Sequence, residues 1–451
     1  MSLGSLRDEN MKRDLYKELV LWKNESERKP LVIRGARQTG KTWLTRYFGK
    51  NEFENFVEVN FEFKPHYKSC FSTLDPSEII EKIELTDNVS IISGKTLLFL
   101  DEIQECPSAL KALRYFYEKM PYLHVIAAGS LLEFVMDAEK ISMPVGRIRN
   151  FYLKPLSFGE FLSANDENKI RSYLINMKIN EPVPESIHLK CIDLLKKYLY
   201  IGGMPEAVAH YRNSGSLKKI DETHQALLQN YRHDFGKYGI SRNYNLMETV
   251  FMKAPGLVGS KFKYSNISRD HNSRDIKKSL ASLIKAGVIN KIDATSGSGL
   301  PLSAHCSGKK FKLLFLDVGL LQNSMGISRE TFLSDNLIAV YKGLVAEQFA
   351  GQSFLAIQEH YKEPSLFYWH REKKGSSAEV DYVWQYGENI LPIEIKSGKT
   401  GTLKSLRLFL SEKKAAMGVR FSLYPLSYND SVLSIPLYAI EALPGLLKQV
   451  L

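Results

Sequence analysis

The stretch LVIRGARQTGKTWLTRYF, residues 31–48, determines how the amino end of this chain folds. Its apolar start predicts a short strand, and its second half has the apolar spacing of a helix. Between the two lies the pattern GxxxxGKT, which consists of Gly35, Ala36, Arg37, Gln38, Thr39, Gly40, Lys41 and Thr42. Backbone N–H groups of such a loop surround phosphates, the lysine reaches the terminal ones and the hydroxyl binds Mg2+. The stretch therefore predicts a site for ATP and Mg2+.

The segment KTLLFLDEIQECP supplies the second half of that site. Residues 96–100 predict a buried strand that ends in Asp101 and Glu102. Asp101 is placed to hold Mg2+, usually through water, and Glu102 to polarise the attacking water. An acidic pair of this kind is also common at a plain strand end. Together with the phosphate loop, however, it predicts nucleotide hydrolysis.

Two further residues are candidates for roles in hydrolysis. Ser130 ends the apolar strand of LHVIAAGSLLEF, where it could sense the terminal phosphate or simply form a turn. Arg147, in MPVGRIRNFYLKPLSFGEFL, follows a glycine in a predicted loop. It is our candidate for an arginine finger that reaches the nucleotide of a neighbouring subunit. A surface arginine is the alternative, and Arg149 is a rival for the role.

Composition sets outer limits on the architecture and the partners. A chain of 451 residues predicts two to four domains. The net charge of +11 favours a polyanion such as DNA, although lysines used for solubility would produce the same excess. We find no run of about 18 apolar residues and expect a cytoplasmic protein without membrane association. The four cysteines form no CxxC pair, so neither a zinc site nor a disulfide framework is predicted.

Six segments in the same order resemble the AAA+ ATPases, and more narrowly a prokaryotic family with a C-terminal region of unknown function. These segments are RGARQTGKT, LFLDEIQ, AAGSLLE, VGRIRNFYLKPLSFGEFL, YLYIGGMPEA and LPIEIKSGKT. The resemblance covers residues 12–399 and implies an AAA+ core with a parallel sheet, for which we predict residues 1–163. It also implies a helical segment over the nucleotide, predicted at residues 164–243.

Helical spacing in that segment is interrupted at Gly202, Gly203 and Pro205, which predicts a break between two helices. Arg212 and Arg232 are both candidates for a second phosphate sensor. No motif favours either, so the role stays unassigned.

Residues 244–325 predict a winged helix. Ser273 is predicted to cap a helix that ends at Gly287, after which VINKI starts a strand. The buried stripe of this helix is predicted to be Ile276, Leu280, Leu283 and Ile284. The basic residues off that stripe are Arg274, Lys277, Lys278 and Lys285. They could meet DNA phosphates, or they could form a solvated face of a module that packs between domains.

Residues 326–451 predict an α/β domain that is similar to the restriction-endonuclease-like fold. Its elements are Glu347 on a helix, Asp381 on the second strand of a hairpin, and Glu394 with Lys396 on the next strand. The resemblance implies that the three carboxylates hold a second Mg2+ or a Mn2+, and that the lysine orients water. The alternative is a buried structural pair, since strand alternation places Glu394 and Lys396 on one face in any case.

The predicted fold class is α/β: a P-loop AAA+ parallel sheet, a helical segment, a winged helix and a restriction-endonuclease-like domain. We interpret the chain as an ATPase that gates nucleic-acid binding or processing by its C-terminal half. Three mechanisms stay open: an ATP-regulated DNA-processing enzyme, a switch in which ATP drives homo-oligomerisation, and a protein-remodelling ATPase that acts on a protein partner.

Overall fold

A computed structural model describes residues 11–130, 132–138, 146–238, 244–327, 343–373, 376–396 and 402–451. Two β-sheets, of five and eight strands, organise these residues. Among the described residues, no helix combines the length and the apolar composition needed to cross a bilayer.

The five-stranded sheet contains the strand predicted before the phosphate loop. Its strands are β1 (Leu31–Arg34), β2 (Asn55–Asn60), β3 (Thr96–Asp101), β4 (His124–Ala128) and β5 (Arg149–Tyr152). They are parallel and lie in the order β2-β3-β4-β1-β5. Helices that follow or precede these strands are α1 (Leu15–Lys23), α2 (Lys41–Glu52), α3 (Pro76–Asp87), α4 (Pro107–Lys119) and α5 (Leu132–Ala138).

Strand β3 shows why the apolar run at residues 96–100 indicated a buried strand. All six of its residues are buried, and alternate side chains enter different apolar clusters on the two faces of the sheet. Leu98 and Leu100 lie in one cluster, and Leu97 and Phe99 lie in the other. A strand covered on both faces has no polar side to show, so its sequence is continuously apolar.

A helical segment follows the sheet, as predicted. Its helices are α6 (Phe158–Ala164), α7 (Asn168–Ile175), α8 (Glu185–Ile201), α9 (Pro205–Ser214) and α10 (Leu217–Asp234). The predicted break lies between α8 and α9. There the Gly203 N–H donates to Asp317 Oδ2 at 2.6 Å, and the Gly203 carbonyl accepts from the Leu156 N–H, also at 2.6 Å. The break therefore joins the loop after β5 to the carboxyl-terminal half.

The next elements include the helix and hairpin predicted as a winged helix. They are α11 (Tyr244–Lys253), α12 (Ser273–Lys285), β6 (Ile289–Thr295), β7 (Cys306–Phe315) and α13 (Val318–Ser324). One detail of the prediction was wrong: Asn272, not Ser273, caps α12, because its side-chain oxygen accepts from the Asp275 N–H at 2.9 Å. The predicted stripe is buried except for Ile284, which is half-buried.

The eight-stranded sheet joins that hairpin to the carboxyl-terminal residues. Its further elements are α14 (Leu344–Ala356), β8 (Leu366–Lys373), β9 (Ser376–Tyr386), β10 (Asn389–Ile395), α15 (Lys404–Lys413), β11 (Gly418–Ser422), β12 (Ser427–Asn429), β13 (Val432–Pro436) and α16 (Leu443–Leu447). The strand order is β12-β13-β11-β10-β9-β8-β6-β7, and β6 pairs in parallel with β8. The sheet thus crosses the boundary predicted at residue 325, and the domain boundaries themselves stay predictions.

Candidate functional site

The phosphate loop lies between β1 and α2, and its shape depends on glycine at position 35. Gly35 has φ +146°, and a Cβ there would lie 2.2 Å from the Leu153 carbonyl oxygen. Helix α2 begins at Lys41, so its free N–H groups face the loop. The eight predicted residues therefore form one backbone cradle at the carboxyl end of β1.

Lys41 has its ammonium inside that cradle. Its side chain is almost buried, and Nζ donates to the carbonyl oxygens of Gly35 at 2.9 Å and Ala36 at 2.7 Å. Burial lowers the pKa of Lys41 to about 8, although Glu102 and Asp101 oppose that shift. Phosphate oxygens are stronger partners for an ammonium than these carbonyls, so they would keep the lysine protonated to higher pH.

This difference predicts a pH dependence of nucleotide binding. We expect the affinity for ATP to be constant up to about pH 8 and to fall above it by up to about tenfold per pH unit, because binding then requires uptake of a proton. Titration with a fluorescent ATP analogue at several pH values measures it. Lys41→Arg is the control, since a guanidinium stays protonated and its affinity should not vary over this range. A wild-type affinity that stays constant to about pH 9.5 would contradict the expectation.

Thr42 and Asp101 form the predicted magnesium position. The Thr42 hydroxyl lies 3.1 Å from both carboxylate oxygens of Asp101, which is buried at the end of β3. Burial and the neighbouring Glu102 raise the pKa of Asp101 to about 6. A hydroxyl beside a carboxylate is the hard oxygen set that Mg2+ prefers, so these residues fit the ion. Bound Mg2+ would neutralise charge on the phosphates.

Glu102 and Ser130 face the same cavity of about 520 Å3 as Lys41 and Thr42. Glu102 has φ +49°, a strained conformation for a glutamate, and its Oε2 accepts from Gln104 Nε2 at 2.5 Å. Among the described residues, the buried Ser130 hydroxyl has no hydrogen-bond partner. A phosphate oxygen or its bound water would satisfy this hydroxyl, which agrees with the predicted sensor role.

Asn60 is a site residue that the sequence analysis missed. Its Nδ2 donates to Asp101 Oδ2 at 3.0 Å, and its Oδ1 accepts from the N–H groups of Glu62 at 3.1 Å and Phe63 at 2.8 Å. The Phe63 side chain is 83% exposed. Asn60 therefore holds the Asp101 carboxylate and also fixes an exposed loop. Its position at the carboxyl end of a parallel strand beside β3 was the available signal.

Helix α10 closes the cleft and supplies two more residues that were not predicted. Arg37 Nη1 lies 2.5 Å from Asp234 Oδ1, and the Tyr231 hydroxyl donates to the Arg37 carbonyl at 2.7 Å. Neither candidate for a second sensor lines this cavity. Arg232 pairs with Glu248, and Arg212 lies 3.9 Å from Asp166. The helical segment thus lines the cleft with residues of α9 and α10, which include Tyr231 and Asp234 but neither of the two arginines.

Arg147 lies at the amino ends of the strands, whereas the phosphate loop lies at their carboxyl ends. It precedes β5 by two residues, and its Nε is 2.9 Å from Glu118 Oε1 at the end of α4. The strands are parallel, so their amino ends are remote from their own nucleotide cleft. Arg147 can therefore act as a finger only toward a neighbouring subunit. Its rival Arg149 pairs with Glu25.

The predicted carboxylates of the C-terminal half come together in the structure. Burial raises the pKa of Glu347 to about 8 and that of Glu394 to about 7, and the nearby Asp381 carboxylate adds to both shifts. The Asp381 Oδ2 accepts from the Ile395 N–H at 2.7 Å. Lys396 Nζ lies 2.5 Å from Glu394 Oε1. The sequence analysis therefore found four members of one cluster on α14, β9 and β10.

Two members of that cluster were missed. Lys312, on β7, is 1% exposed, and its Nζ lies 2.6 Å from Glu379 Oε1 and 3.6 Å from Glu347 Oε2. We call Glu347, Glu379, Asp381 and Glu394 the C-terminal carboxylate cluster. Within the described part of the chain, no three His, Cys, Asp or Glu side chains form a group that could hold a metal ion. The second metal therefore stays a prediction.

Three family models match separate parts of the chain. They are an AAA domain over residues 27–162, a domain of unknown function (DUF8612) over residues 192–331, and a second domain of unknown function (DUF4143) over residues 342–440. The first match agrees with the geometry of the cleft and supports an ATP-binding P-loop domain of the AAA type. No curated protein matches the chain.

Several solved structures match about 70% of this chain at low sequence identity. A Walker-type ATPase of Pyrococcus abyssi is 17% identical, with 70% of this chain and 96% of that chain covered and a TM-score of 0.45. The Aeropyrum pernix ORC1 protein in complex with DNA is 13% identical, with coverage of 71% and 92% and a TM-score of 0.27. The ORC2 protein of the same organism is 13% identical, with the same coverage and a TM-score of 0.34.

Proposed function

We propose that this protein hydrolyses ATP in the cleft above β1 and β3, and that the nucleotide controls nucleic-acid binding by the C-terminal half. The observation that carries the coupling is a direct contact between the two halves. Gly287, at the end of α12, packs against the phosphate loop so closely that a Cβ there would lie 3.4 Å from the Ala36 nitrogen. A change in the phosphate loop on phosphate binding would therefore shift the position of α12.

Hydrolysis follows from the groups that line the cleft. Lys41 would exchange its two carbonyl partners for oxygens of the terminal phosphates and stabilise their negative charge. Glu102 would orient a water molecule for attack in line with the departing diphosphate. Ser130 would donate its hydrogen to a phosphate oxygen, since its hydroxyl has no competing partner in the part of the chain that the structure describes. Together these groups support an ATPase mechanism that relies on positioning and charge.

The basic side of α12 supports a nucleic-acid partner. Arg274, Lys277 and Lys278 are exposed on the helix that ends at Gly287. Their ammonium and guanidinium groups are suited to phosphate contacts, which give affinity without sequence preference. The overall charge of +11 has the same sign. A helix that leads to a contact with the phosphate loop at its carboxyl end and carries exposed cations along its side suits a nucleotide-controlled DNA contact.

We expect Lys277→Glu, Lys278→Glu to lower the affinity for double-stranded DNA by about tenfold or more and to reduce the salt slope by about two, since two phosphate contacts are lost. Fluorescence anisotropy with a labelled duplex, with and without a non-hydrolysable ATP analogue, measures both. For the wild type, the analogue should change the affinity.

The matched control is Lys218→Glu, Lys219→Glu, which removes two exposed lysines at the start of α10. It should leave DNA binding close to that of the wild type. Equal effects of the two double variants would assign the binding to net charge alone. No effect of the ATP analogue on the wild type would remove the proposed control by nucleotide.

A second candidate function is a switch that assembles with ATP. It is favoured by Arg147, which can serve only the cleft of another copy. In such a homo-oligomer the arginine would leave Glu118 and stabilise charge on the neighbour's phosphates. This candidate and DNA binding are compatible, because they use different residues: Arg147 before β5, and the exposed cations of α12.

A further inference from the structure

A buried lysine lies inside the C-terminal carboxylate cluster. Lys312 Nζ contacts Glu379 Oε1 at 2.6 Å and Glu347 Oε2 at 3.6 Å, and it lies 5.1 Å from the centroid of the Tyr368 ring. Its side chain is 1% exposed. A buried ammonium is stable only with close anionic or aromatic partners, and Lys312 has both.

The other carboxylates of the cluster also have partners from the chain. Asp381 Oδ2 accepts the Ile395 N–H at 2.7 Å, and Glu394 Oε1 is 2.5 Å from Lys396 Nζ. Mg2+ and Mn2+ require about six oxygen ligands that converge on one point. Here at least one oxygen of each carboxylate points to a cation or an N–H group of the protein instead. For Glu394 that oxygen is Oε1, and its second oxygen, Oε2, is buried without a hydrogen-bond partner among the described residues.

A backbone segment covers the cluster on the side of Lys312. Val258 forms a bridge with Leu313, and Lys261 forms one with Lys312. A Cβ on Gly259 would lie 2.8 Å from Glu347 Oε2, so the backbone packs directly on that carboxylate. A divalent ion bound between Glu347 and Glu379 would lie beside a buried ammonium that repels it.

We propose that the Lys312 ammonium is the resident cation of the C-terminal carboxylate cluster and takes the place that the nuclease interpretation gives to a divalent metal. The cluster then joins β7, β9, β10 and α14 by fixed charges, and the C-terminal half binds its partner without cleaving phosphodiester bonds. This inference goes beyond the proposed function and is independent of it, because neither ATP hydrolysis nor DNA binding requires a metal here.

The test is a titration of the nucleotide-free, full-length protein with Mn2+, in which electron paramagnetic resonance measures the concentration of the free ion. Wild type and Glu347→Gln should bind Mn2+ equally, because Glu347 is engaged with Lys312 and holds no metal. Lys312→Met should gain a site at least about tenfold tighter than any wild-type site in the cluster, since the carboxylates lose their internal cation. The double variant Lys312→Met, Glu347→Gln should lose that gain.

Lys310→Met is the matched control, because Lys310 lies two residues earlier on β7 and is exposed. It should bind Mn2+ as the wild type does. If Lys312→Met fails to fold, the comparison of wild type with Glu347→Gln still decides the question. The proposal would be overturned if the wild type bound Mn2+ and Glu347→Gln removed that binding. It would also be overturned if the wild type cleaved plasmid with Mn2+ and the double variant Asp381→Ala, Glu394→Ala did not.

Discussion

Glu102→Gln should bind ATP with nearly unchanged affinity and hydrolyse it at least about 100-fold more slowly, because it removes the group that polarises the attacking water. The amide keeps the size of the side chain, and Gln104 Nε2, now 2.5 Å from Glu102 Oε2, can still meet an oxygen there. Lys41, Thr42 and Asp101 are unchanged, so the phosphates and Mg2+ keep their ligands. Single-turnover hydrolysis of radiolabelled ATP, with binding measured separately, distinguishes the two effects.

Glu105→Gln is the matched control for this experiment. Glu105 lies three residues farther along the chain, is exposed, and pairs with Lys68 at 3.4 Å. It should hydrolyse ATP at the wild-type rate. A Glu102→Gln protein with normal turnover would mean that another group activates the water. A protein that no longer binds ATP would mean that Glu102 acts on binding and not on the chemical step.

The same variant provides a sample that is held in the ATP state. If Arg147 serves a neighbouring cleft, the mass of Glu102→Gln measured by light scattering should rise with ATP, and Arg147→Ala should reduce that rise. An unchanged mass would leave the arginine in its pair with Glu118, 2.9 Å away. This measurement separates the assembling switch from an ATPase that works as a monomer.

The amino-terminal site was largely predictable from sequence because its information is local. The phosphate loop and the strand before it are contiguous, and the β3 carboxylate follows an apolar run that is buried on both faces. Polar residues at the carboxyl ends of such strands meet at one sheet edge, whatever the rest of the chain does. Asn60 obeys the same rule, but a single asparagine at the end of a strand is not typical of any one kind of site. The sequence therefore did not identify it as a site residue.

The C-terminal half was less predictable because its decisive contacts are remote in sequence. Lys312 meets Glu347 and Glu379 across 35 and 67 residues, and the sequence of β7, CSGKKFKLLF, looks like that of an ordinary strand. The pair of Glu394 and Lys396 was visible in the sequence. The buried ammonium of Lys312, which changes how that pair is interpreted, was not. Likewise, the hairpin of β6 and β7 could be outlined from the sequence. The parallel pairing of β6 with β8 could not, because β8 lies about 70 residues farther along the chain.

The cap of α12 shows a smaller limit of sequence reasoning. Asn272 and Ser273 are adjacent, and both residue types cap helices well. Their backbone conformations decide between them: Asn272 is extended, with φ −70° and ψ 150°, while Ser273 is already helical. The preference lies in how the preceding loop approaches the helix, which two neighbouring residues cannot reveal.

Gly203→Ala should destabilise the protein by about 3 kcal/mol or more, the range of severe overpacking, and lower its melting temperature by about 6 °C or more. An alanine Cβ at this position would lie 2.1 Å from the Leu156 carbonyl oxygen and 2.9 Å from the Leu156 nitrogen. Both are backbone atoms held by other bonds, since the Tyr198 hydroxyl donates to that same oxygen at 2.6 Å. The break between α8 and α9 would have to move away from the loop after β5.

Thermal unfolding followed by circular dichroism measures the effect, and Gly256→Ala is the control. A Cβ on Gly256 meets nothing within 4 Å, so that variant should melt close to the wild type. Equal melting temperatures of the two variants would show that the chain can separate Gly203 from Leu156 at little cost. If Gly203→Ala is the less stable, it should also lose ATP affinity, because the bond from Gly203 to Asp317 fixes the helices that bring Tyr231 and Asp234 to the phosphate loop.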